Sequence, residues 1–258
     1  MLIEKAAALL AVERGTVFKA GGADVEIALA YPNTYHVGMS NLGVHQIYSI
    51  LNQRTDTSCE RVFLPDEDDI SEFDRSGTKL FSLESRRPVR DFDILAFSVS
   101  FEHDYLNVLE ILRLAGIRVD KKDRDPDDPL LVLGGICTFF NPEPLAEFFD
   151  VVIVGEGEEI AGAFIDLYKA NRGKERHELL QAMQKTDFDF VQFTYGLHDR
   201  DAESRLLPLA AERRMAVIAN RPFDGGALFG RVQGKPLPDW AAGIDCATWA
   251  QIFLKFVV

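Results

Sequence analysis

Five short apolar runs recur between residues 24 and 157, and polar or glycine-containing segments separate them. They read DVEIALAYP, CERVFLP, DILAFSVSF, PLLVLGGIC and DVVIVGEG, and they begin at residues 24, 59, 93, 129 and 150. Apolar residues that follow one another without alternation are typical of strands buried on both faces, which is the environment of a parallel sheet. The runs therefore predict five parallel strands.

Helical patterns lie between these runs. A short one falls within residues 1–23, GVHQIYSILNQR follows the first run, and DYLNVLEILRLAGI follows the third. The residues expected on the apolar face of the third helix are Leu106, Leu109, Ile111 and Leu112. The alternation of strands and helices predicts an α/β fold, with an open, doubly wound sheet in the flavodoxin-like strand order.

Composition narrows the classes of protein. A chain of 258 residues suffices for one large α/β domain, or for an ordinary domain with an extension, and 47% hydrophobic residues are typical of a soluble globular protein. The net charge of −13 disfavours nucleic acid or an anionic membrane as partner. No apolar run is long enough for a membrane span, and Glu4 and Glu13 stand where a signal peptide would lack acids. We therefore expect a cytoplasmic protein.

Few groups for catalysis or metal binding are present. The cysteines are few and far apart, so neither a disulfide framework nor an iron–sulfur cluster is expected. His36, His45 and His103 are not spaced as the ligands of a metal site would be. Carboxylates that could act as general bases are Glu156, Glu158 and Glu159. Acidic groups are also favoured at the start of a helix, and we favour that interpretation for these three.

The segments that directly follow the predicted strands are rich in glycine, serine and asparagine. They read YPNTYHVGMSNLG, SVSFEHD, GGICTFFNPEP and GEGEE. Ligands of open α/β sheets bind beyond the carboxyl ends of the strands, and glycine lets a backbone approach a ligand or make a tight turn. Any one of these glycines could serve a turn alone. Four such loops at one edge favour a ligand site.

Several longer segments carry a family resemblance. They are YPNTYHVGMSNLGVHQIYSILN, CERVFLP, FSLES, DFDILAFSVSFEHDYLNVLEILRLAGI, VLGGICTFFNPEPLAEFFD and VVIVGEGEE. Through them, residues 24–170 resemble the N-terminal cobalamin-binding-like domain of a family of radical S-adenosylmethionine (radical SAM) proteins. The resemblance implies a flavodoxin-like domain that holds cobalamin across the carboxyl edge of its sheet. The contacts it implies are Gly38, Ser40, Asn41, Gly43, Ser98, Ser100, Gly134, Gly135 and Gly155.

Two departures limit what this resemblance implies. Many cobalamin domains supply an axial histidine from a DxHxxG pattern, but here His36 is followed by VGM, and Asn33 is not the aspartate of that pattern. The CxxxCxxC cluster of the radical enzyme is also missing from this chain. The resemblance therefore implies a corrinoid without a histidine ligand, and we expect no radical chemistry from this chain alone.

The later residues carry a second resemblance. TDFDFVQFTYGLHDRDAESRLLPLAAERRMAVIANRPFDGGALF and GKPLPDWAAGIDCATWAQIFLKFVV resemble the later part of an aldo/keto reductase, a (β/α)₈ TIM barrel. This implies strands six and seven of that barrel within residues 185–258, with Gln192 at the nicotinamide carboxamide. The residues implied along the dinucleotide are Pro222, Phe223, Gly225 and Gly226. Asn220 stands where many relatives have a stacking aromatic, and the early strands with the catalytic residues are missing, so NADPH is not expected as a cofactor.

The two resemblances meet at residues 171–184, a polar helical stretch that fits either family. Both families join parallel strands through right-handed crossover helices. We therefore expect DFVQFTY to pair beside DVVIVGEG and MAVIAN to follow, which would give seven strands. Such a join indicates a recombined or designed chimera, and a truncated natural reading frame is the alternative. The unpaired last strand and the apolar end WAQIFLKFVV predict a homodimer through this edge.

Three functions remain open. The first is a non-catalytic α/β scaffold that binds a corrinoid at the sheet edge. The second is the remnant of an aldo/keto oxidoreductase that binds a nicotinamide dinucleotide, and the third is a chimera without any ligand. We place the first ahead because its four edge loops are all present.

Overall fold

The computed structural model of the chain describes residues 1–19, 22–125, 127–140, 142–174, 178, 190–204, 206–212, 216–220 and 222–257. The chain divides into two compact units. Unit 1 comprises residues 1–138 and 142–186, and unit 2 comprises residues 139–141 and 187–258. Most of the predicted junction helix, at 175–177 and 179–184, lies outside the described residues.

Unit 1 is built on a sheet of five parallel strands. The strands are β1 (Val25–Tyr31), β2 (Thr57–Phe63), β3 (Ile94–Ser98), β4 (Leu130–Gly134) and β5 (Val151–Val152). Their order in the sheet is β2-β1-β3-β4-β5. This is the flavodoxin-like order, so the predicted fold class of unit 1 is confirmed.

Eight α-helices lie between the start of the chain and residue 171 in the part that the structure describes. They are α1 (Leu2–Val12), α2 (Tyr35–Gly38), α3 (Leu42–Gln53), α4 (Glu67–Ser76), α5 (Tyr105–Ala115), α6 (Cys137–Phe140), α7 (Glu143–Ala146) and α8 (Gly157–Asn171). Local chemistry sets several of their ends. Asn41 caps α3 by accepting a hydrogen bond from the Val44 amide at 3.1 Å, and Gly116 ends α5 with a left-handed φ of 72°.

Two apolar layers enclose this sheet. Ile27 and Leu29 of β1 pack with α3 and α8 on one face, whereas Ala28 and Ala30 pack with α5 on the other. Successive side chains of a strand point to opposite faces, so a strand between two helical layers must be apolar at nearly every position. This explains the continuous apolar runs of the sequence.

The predicted apolar face of α5 was partly wrong. Leu106 is 76% exposed, because it shares the polar face of the helix with Glu110 and Arg113, and Leu109 is only half-buried. The buried residues of this helix are Val108, Ile111, Leu112, Leu114 and Ala115. The stripe at helical spacing therefore starts at Val108, and Leu106 falls outside it.

Unit 2 contains its own small sheet. β6 (Phe190–Thr194) and β7 (Ala216–Asn220) pair in parallel and form a separate two-stranded sheet, so the predicted pairing of strand six with β5 is wrong for the described residues. β5 joins the first sheet through only two residues, which leaves a short edge for any further strand. The helices of unit 2 are α9 (Leu206–Glu212), α10 (Ala227–Val232) and α11 (Trp249–Val257).

A small apolar core accompanies the last two helices of unit 2. Its buried residues are Leu228, Ala241, Cys246, Ile252 and Phe253. Among the helices that the structure describes, none combines the length and the apolar character that crossing a lipid bilayer requires.

Candidate functional site

The carboxyl ends of β1 and β3 form the topological switch point of the sheet. These two strands are neighbours, but the chain continues from β1 to α3 on one face and from β3 to α5 on the other. The loops at residues 32–41 and 99–104 therefore diverge. In open α/β sheets, such a divergence opens a crevice that binds ligands. We call this region the switch-point crevice.

Hydrogen bonds join the two loops of the switch-point crevice. The Asn41 amide nitrogen donates to the Ser100 hydroxyl at 3.1 Å, while its carbonyl oxygen caps α3. Two of the residues predicted from sequence are thus in direct contact. Ser40 instead donates to the His36 carbonyl within its own loop at 2.9 Å. Ser98 and Gly134 are register partners at the ends of β3 and β4.

A buried carboxylate, which the sequence analysis missed, lies at the same crevice. Asp104 is 3% exposed, and its Oδ1 atom accepts hydrogen bonds from the side-chain amides of Asn33 at 2.8 Å and Asn107 at 3.2 Å. Its Oδ2 atom is buried and has no hydrogen-bond partner. Burial raises the pKa of the Asp104 carboxyl above its ordinary value, because it outweighs these two amide bonds.

Three of the predicted glycines are explained by packing within the chain. At Gly38, a Cβ atom would lie 2.3 Å from the Phe63 ring. Gly135 has a left-handed φ of 99°, and its Cβ would lie 2.5 Å from the backbone nitrogen and oxygen of Val99. A Cβ at Gly155 would meet Ile160 at 2.7 Å.

Exposed apolar side chains surround the crevice, and the sequence analysis did not single them out. Five large apolar residues that follow β1, β3 and β4 are between 42% and 84% exposed. We call them the apolar rim, and they are Val37, Leu42, Phe101, Leu106 and Ile136. Elsewhere in the described part of unit 1, exposed large apolar residues occur only within the N-terminal segment 1–18. Apolar surface gathered at one edge is typical of a binding site.

The other candidate groups have local roles. α8 begins at Gly157 with Glu156 at its N-cap, in agreement with the helix-start interpretation of the acidic cluster. His45 Nε2 lies 2.8 Å from the Met39 carbonyl oxygen, so this histidine fixes the loop after β1. No group of three or more metal-ligating side chains occurs among the residues that the structure describes.

The profile of the family described as "Radical SAM proteins, N-terminal" matches residues 43–191, which is more than half of the chain. The chain belongs to this family. An uncharacterized protein of Methanocaldococcus jannaschii, MJ0966, is 31% identical over 146 residues, which cover 57% of this chain and 26% of the relative. The chain thus aligns with about a quarter of that relative's length. No solved structure matches it significantly.

The radical SAM part of the first resemblance is therefore confirmed, and the carboxyl edge described above belongs to a radical SAM N-terminal domain. The matched segment contains nearly all of α3, together with β2, β3, β4 and β5 and the crevice segment 99–104, whereas β1 and the crevice segment 32–41 precede it. Cobalamin binding by this domain stays a prediction. So does the resemblance of the last 75 or so residues to an aldo/keto reductase.

Unit 2 brings some of its predicted dinucleotide residues together. Gln192 and Asn220 lie in the paired strands β6 and β7. Gly225 and Gly226 have left-handed φ values of 60° and 97° in the turn Asp224–Gly226 that follows. The loops after the two strands are adjacent, since His198 Nδ1 lies 3.4 Å from Asp224 Oδ2.

The rest of the predicted dinucleotide loop shares this location. Pro222 and Phe223 are half-buried between β7 and the turn. A Cβ at Gly196, in the loop after β6, would lie 3.3 Å from the Pro222 carbonyl oxygen. Glycine at 196 therefore allows the loops after β6 and β7 to approach each other closely.

Proposed function

We propose that unit 1 binds a corrinoid across the carboxyl edge of its sheet and acts as a carrier without catalytic groups of its own. The apolar rim is the observation that supports this most. A corrin ring presents a broad face rich in hydrocarbon and a periphery of carboxamides. A matching site needs exposed apolar side chains together with a few well-placed polar groups. The switch-point crevice offers both.

The residues at the edge fit such a ligand in two further respects. A Cβ at Gly134 would meet its first neighbouring atom, the Phe97 carbonyl oxygen, at an ordinary contact distance of 3.7 Å, so close packing does not explain this glycine. The bond between Asn41 and Ser100 also holds the two loops in a defined position. A preorganised site of this kind loses less conformational entropy when it binds a ligand.

No axial histidine is part of this proposal. His36 is exposed in α2, and Thr34 stands two residues before it, where the DxHxxG pattern has its aspartate. The Asn33 side chain is bonded to Asp104 and to the Thr34 amide. We therefore expect a bound corrinoid whose lower face packs on the apolar rim and takes no imidazole from the DxHxxG position.

The test is a visible absorption titration of the full chain with hydroxocobalamin, followed by desalting to remove free ligand. We expect about one equivalent to be retained, as for a single site of this kind. Phe101→Asp and Leu42→Asp each place a charge in the apolar rim and should abolish retention. Phe18→Asp is the matched control, because Phe18 is 65% exposed in the N-terminal segment and should tolerate the charge.

Two results would refute the proposal. One is a wild-type protein that folds but retains no corrinoid, which would favour the hypothesis of a scaffold without a ligand. The other is equal retention by Phe101→Asp and wild type, which would show that binding does not involve the apolar rim.

A further inference from the structure

The unpartnered oxygen of Asp104 is a chemical feature that packing leaves unexplained. A buried carboxylate oxygen without a hydrogen bond destabilises the fold by about 1–3 kcal/mol or more. Among the described residues, two side-chain nitrogens of Arg87 are also buried without a hydrogen bond, whereas the buried Asp128 Oδ1 has an ion-pair partner. Arg87 stacks on the Phe92 ring at 4.0 Å, and Asp128 pairs with Arg90 at 2.8 Å. Asp104 Oδ2 has no comparable interaction.

The neighbours of Asp104 are fixed in place by other bonds. The Asn33 side-chain oxygen accepts a bond from the Thr34 amide at 2.8 Å, and the Asn107 amide also donates to the Pro32 carbonyl at 2.9 Å. Either asparagine would lose these bonds if it turned toward Oδ2. The carboxylate is thus held by Oδ1, and Oδ2 is left as a rigid acceptor.

The position of this acceptor points to a ligand. Asp104 ends the loop after β3 and directly precedes α5, while Asn33 belongs to the loop after β1. Oδ2 is shielded from bulk water, and the same carboxylate is bonded through Oδ1 to Asn33 and Asn107, so a ligand that inserts between the two loops can supply the missing hydrogen bond. That group must be a donor, because Oδ2 of an ionised carboxylate can only accept.

We propose that Asp104 Oδ2 accepts a hydrogen bond from a peripheral carboxamide of the corrinoid, and thereby selects corrinoids that carry amides over those that carry esters. This inference rests on the proposed function and adds a specificity-determining residue to it. A carboxamide nitrogen supplies two N–H donors, whereas a methyl ester supplies none. Binding an ester would therefore leave the buried oxygen unpaired.

The experiment compares two probes in the aquocyano form, cobinamide and heptamethyl cobyrinate, in which all seven amide groups are replaced by methyl esters. We expect the wild-type chain to bind cobinamide at least about tenfold more tightly, since the ester probe has no N–H group to donate to Asp104 Oδ2. Asp104→Asn keeps the Oδ1 acceptor for Asn33 and Asn107 but replaces Oδ2 by a donor. Its preference for cobinamide should fall by about tenfold.

Asp68→Asn is the matched control, because it makes the same change of charge at an exposed position in α4. It should keep the wild-type preference. The inference is overturned if the wild-type chain binds both probes equally, or if Asp104→Asn folds and keeps the full preference. In either case corrinoid binding itself would stand. If neither probe binds to folded wild-type protein, the proposed function and this inference both fail.

Discussion

Arg61 is the cation of a buried cluster of charged side chains in unit 1. Its replacement by methionine should leave the two carboxylates of that cluster without a positive partner. The Arg61 guanidinium lies 2.7 Å from a carboxylate oxygen of Glu13 and 2.7 Å from one of Glu84. The three side chains are 3%, 6% and 1% exposed, respectively. Glu84 also accepts a hydrogen bond from the Arg61 backbone amide at 2.7 Å. This hydrogen bond covers the outer edge of β2.

The magnitude follows from the two carboxylates that would remain. Removal of one partner of a buried ion pair costs about 3–5 kcal/mol, because a buried charge is left without compensation. Burial already raises the pKa of Glu84 above its ordinary value, even though Arg61 opposes this shift. Without Arg61, the pKa of Glu84 should rise further. The pKa of Glu13 lies below its ordinary value because bonds from Arg61, Thr16 and Tyr35 outweigh its burial, and this advantage should also decrease.

The pH dependence has a definite sign. A carboxyl whose pKa is higher in the folded state destabilises the fold at any pH above that value, and the penalty disappears below the unfolded pKa of about 4.3. The difference between Arg61→Met and wild type should therefore be largest near neutral pH and should shrink as the pH falls toward about 4.

The assay is urea denaturation followed by far-UV circular dichroism at several pH values. Arg113→Met is the matched control, because Arg113 also bridges two carboxylates, Asp74 and Glu110, at 2.7 Å each but is 48% exposed. Exposed ion pairs contribute little, so its loss should be far smaller. The reasoning is refuted if Arg61→Met loses no more stability than Arg113→Met, or if its deficit grows on acidification.

Three further predictions concern unit 1. Gly135→Ala should lower the free energy of unfolding in urea by about 2 kcal/mol or more, because of its left-handed φ and the contact with Val99. Gly77→Ala in unit 1, which also has a left-handed φ but no atom within 4 Å, should cost less. Asp104→Asn should be more stable than wild type at pH 7, and the gain should fade on acidification, since burial raises the pKa of Asp104. Burial also raises the pKa of the Cys59 thiol, so it should react with a disulfide reagent at pH 7 only after unfolding.

The sheet of unit 1 could be predicted because its physical cause is visible in the sequence. A strand covered by helices on both faces must be apolar at successive positions, and the five runs meet this demand. Connections between parallel strands through a crossover helix are nearly always right-handed, which leaves few possible strand orders. The contact between Asn41 and Ser100 is compatible with this order, because they lie in the segments that follow the neighbouring strands β1 and β3.

The charge cluster could not be predicted in the same way. Glu13, Arg61 and Glu84 are ordinary charged residues in sequence, and each is more often found in water than in a core. They meet only because the N-terminal segment and the loop at residues 80–89 both reach β2. Such an encounter depends on tertiary packing, which hydrophobic periodicity does not encode. The length of β5 could not be predicted either, because its apolar run is long but only two of its residues pair with β4.

The structure also changes the grounds for the proposed site. The site predicted from sequence consisted largely of glycines, but the Val99 backbone requires Gly135, and Gly38 and Gly155 pack against the side chains of Phe63 and Ile160. The apolar rim and the unpartnered Asp104 oxygen have no such explanation within unit 1. Both tend to destabilise an isolated fold, the first by exposing apolar surface and the second by burying an unsatisfied charge. One ligand with an apolar face and amide donors would relieve both at once, and it is this coincidence at the switch point that favours a corrinoid over an empty scaffold.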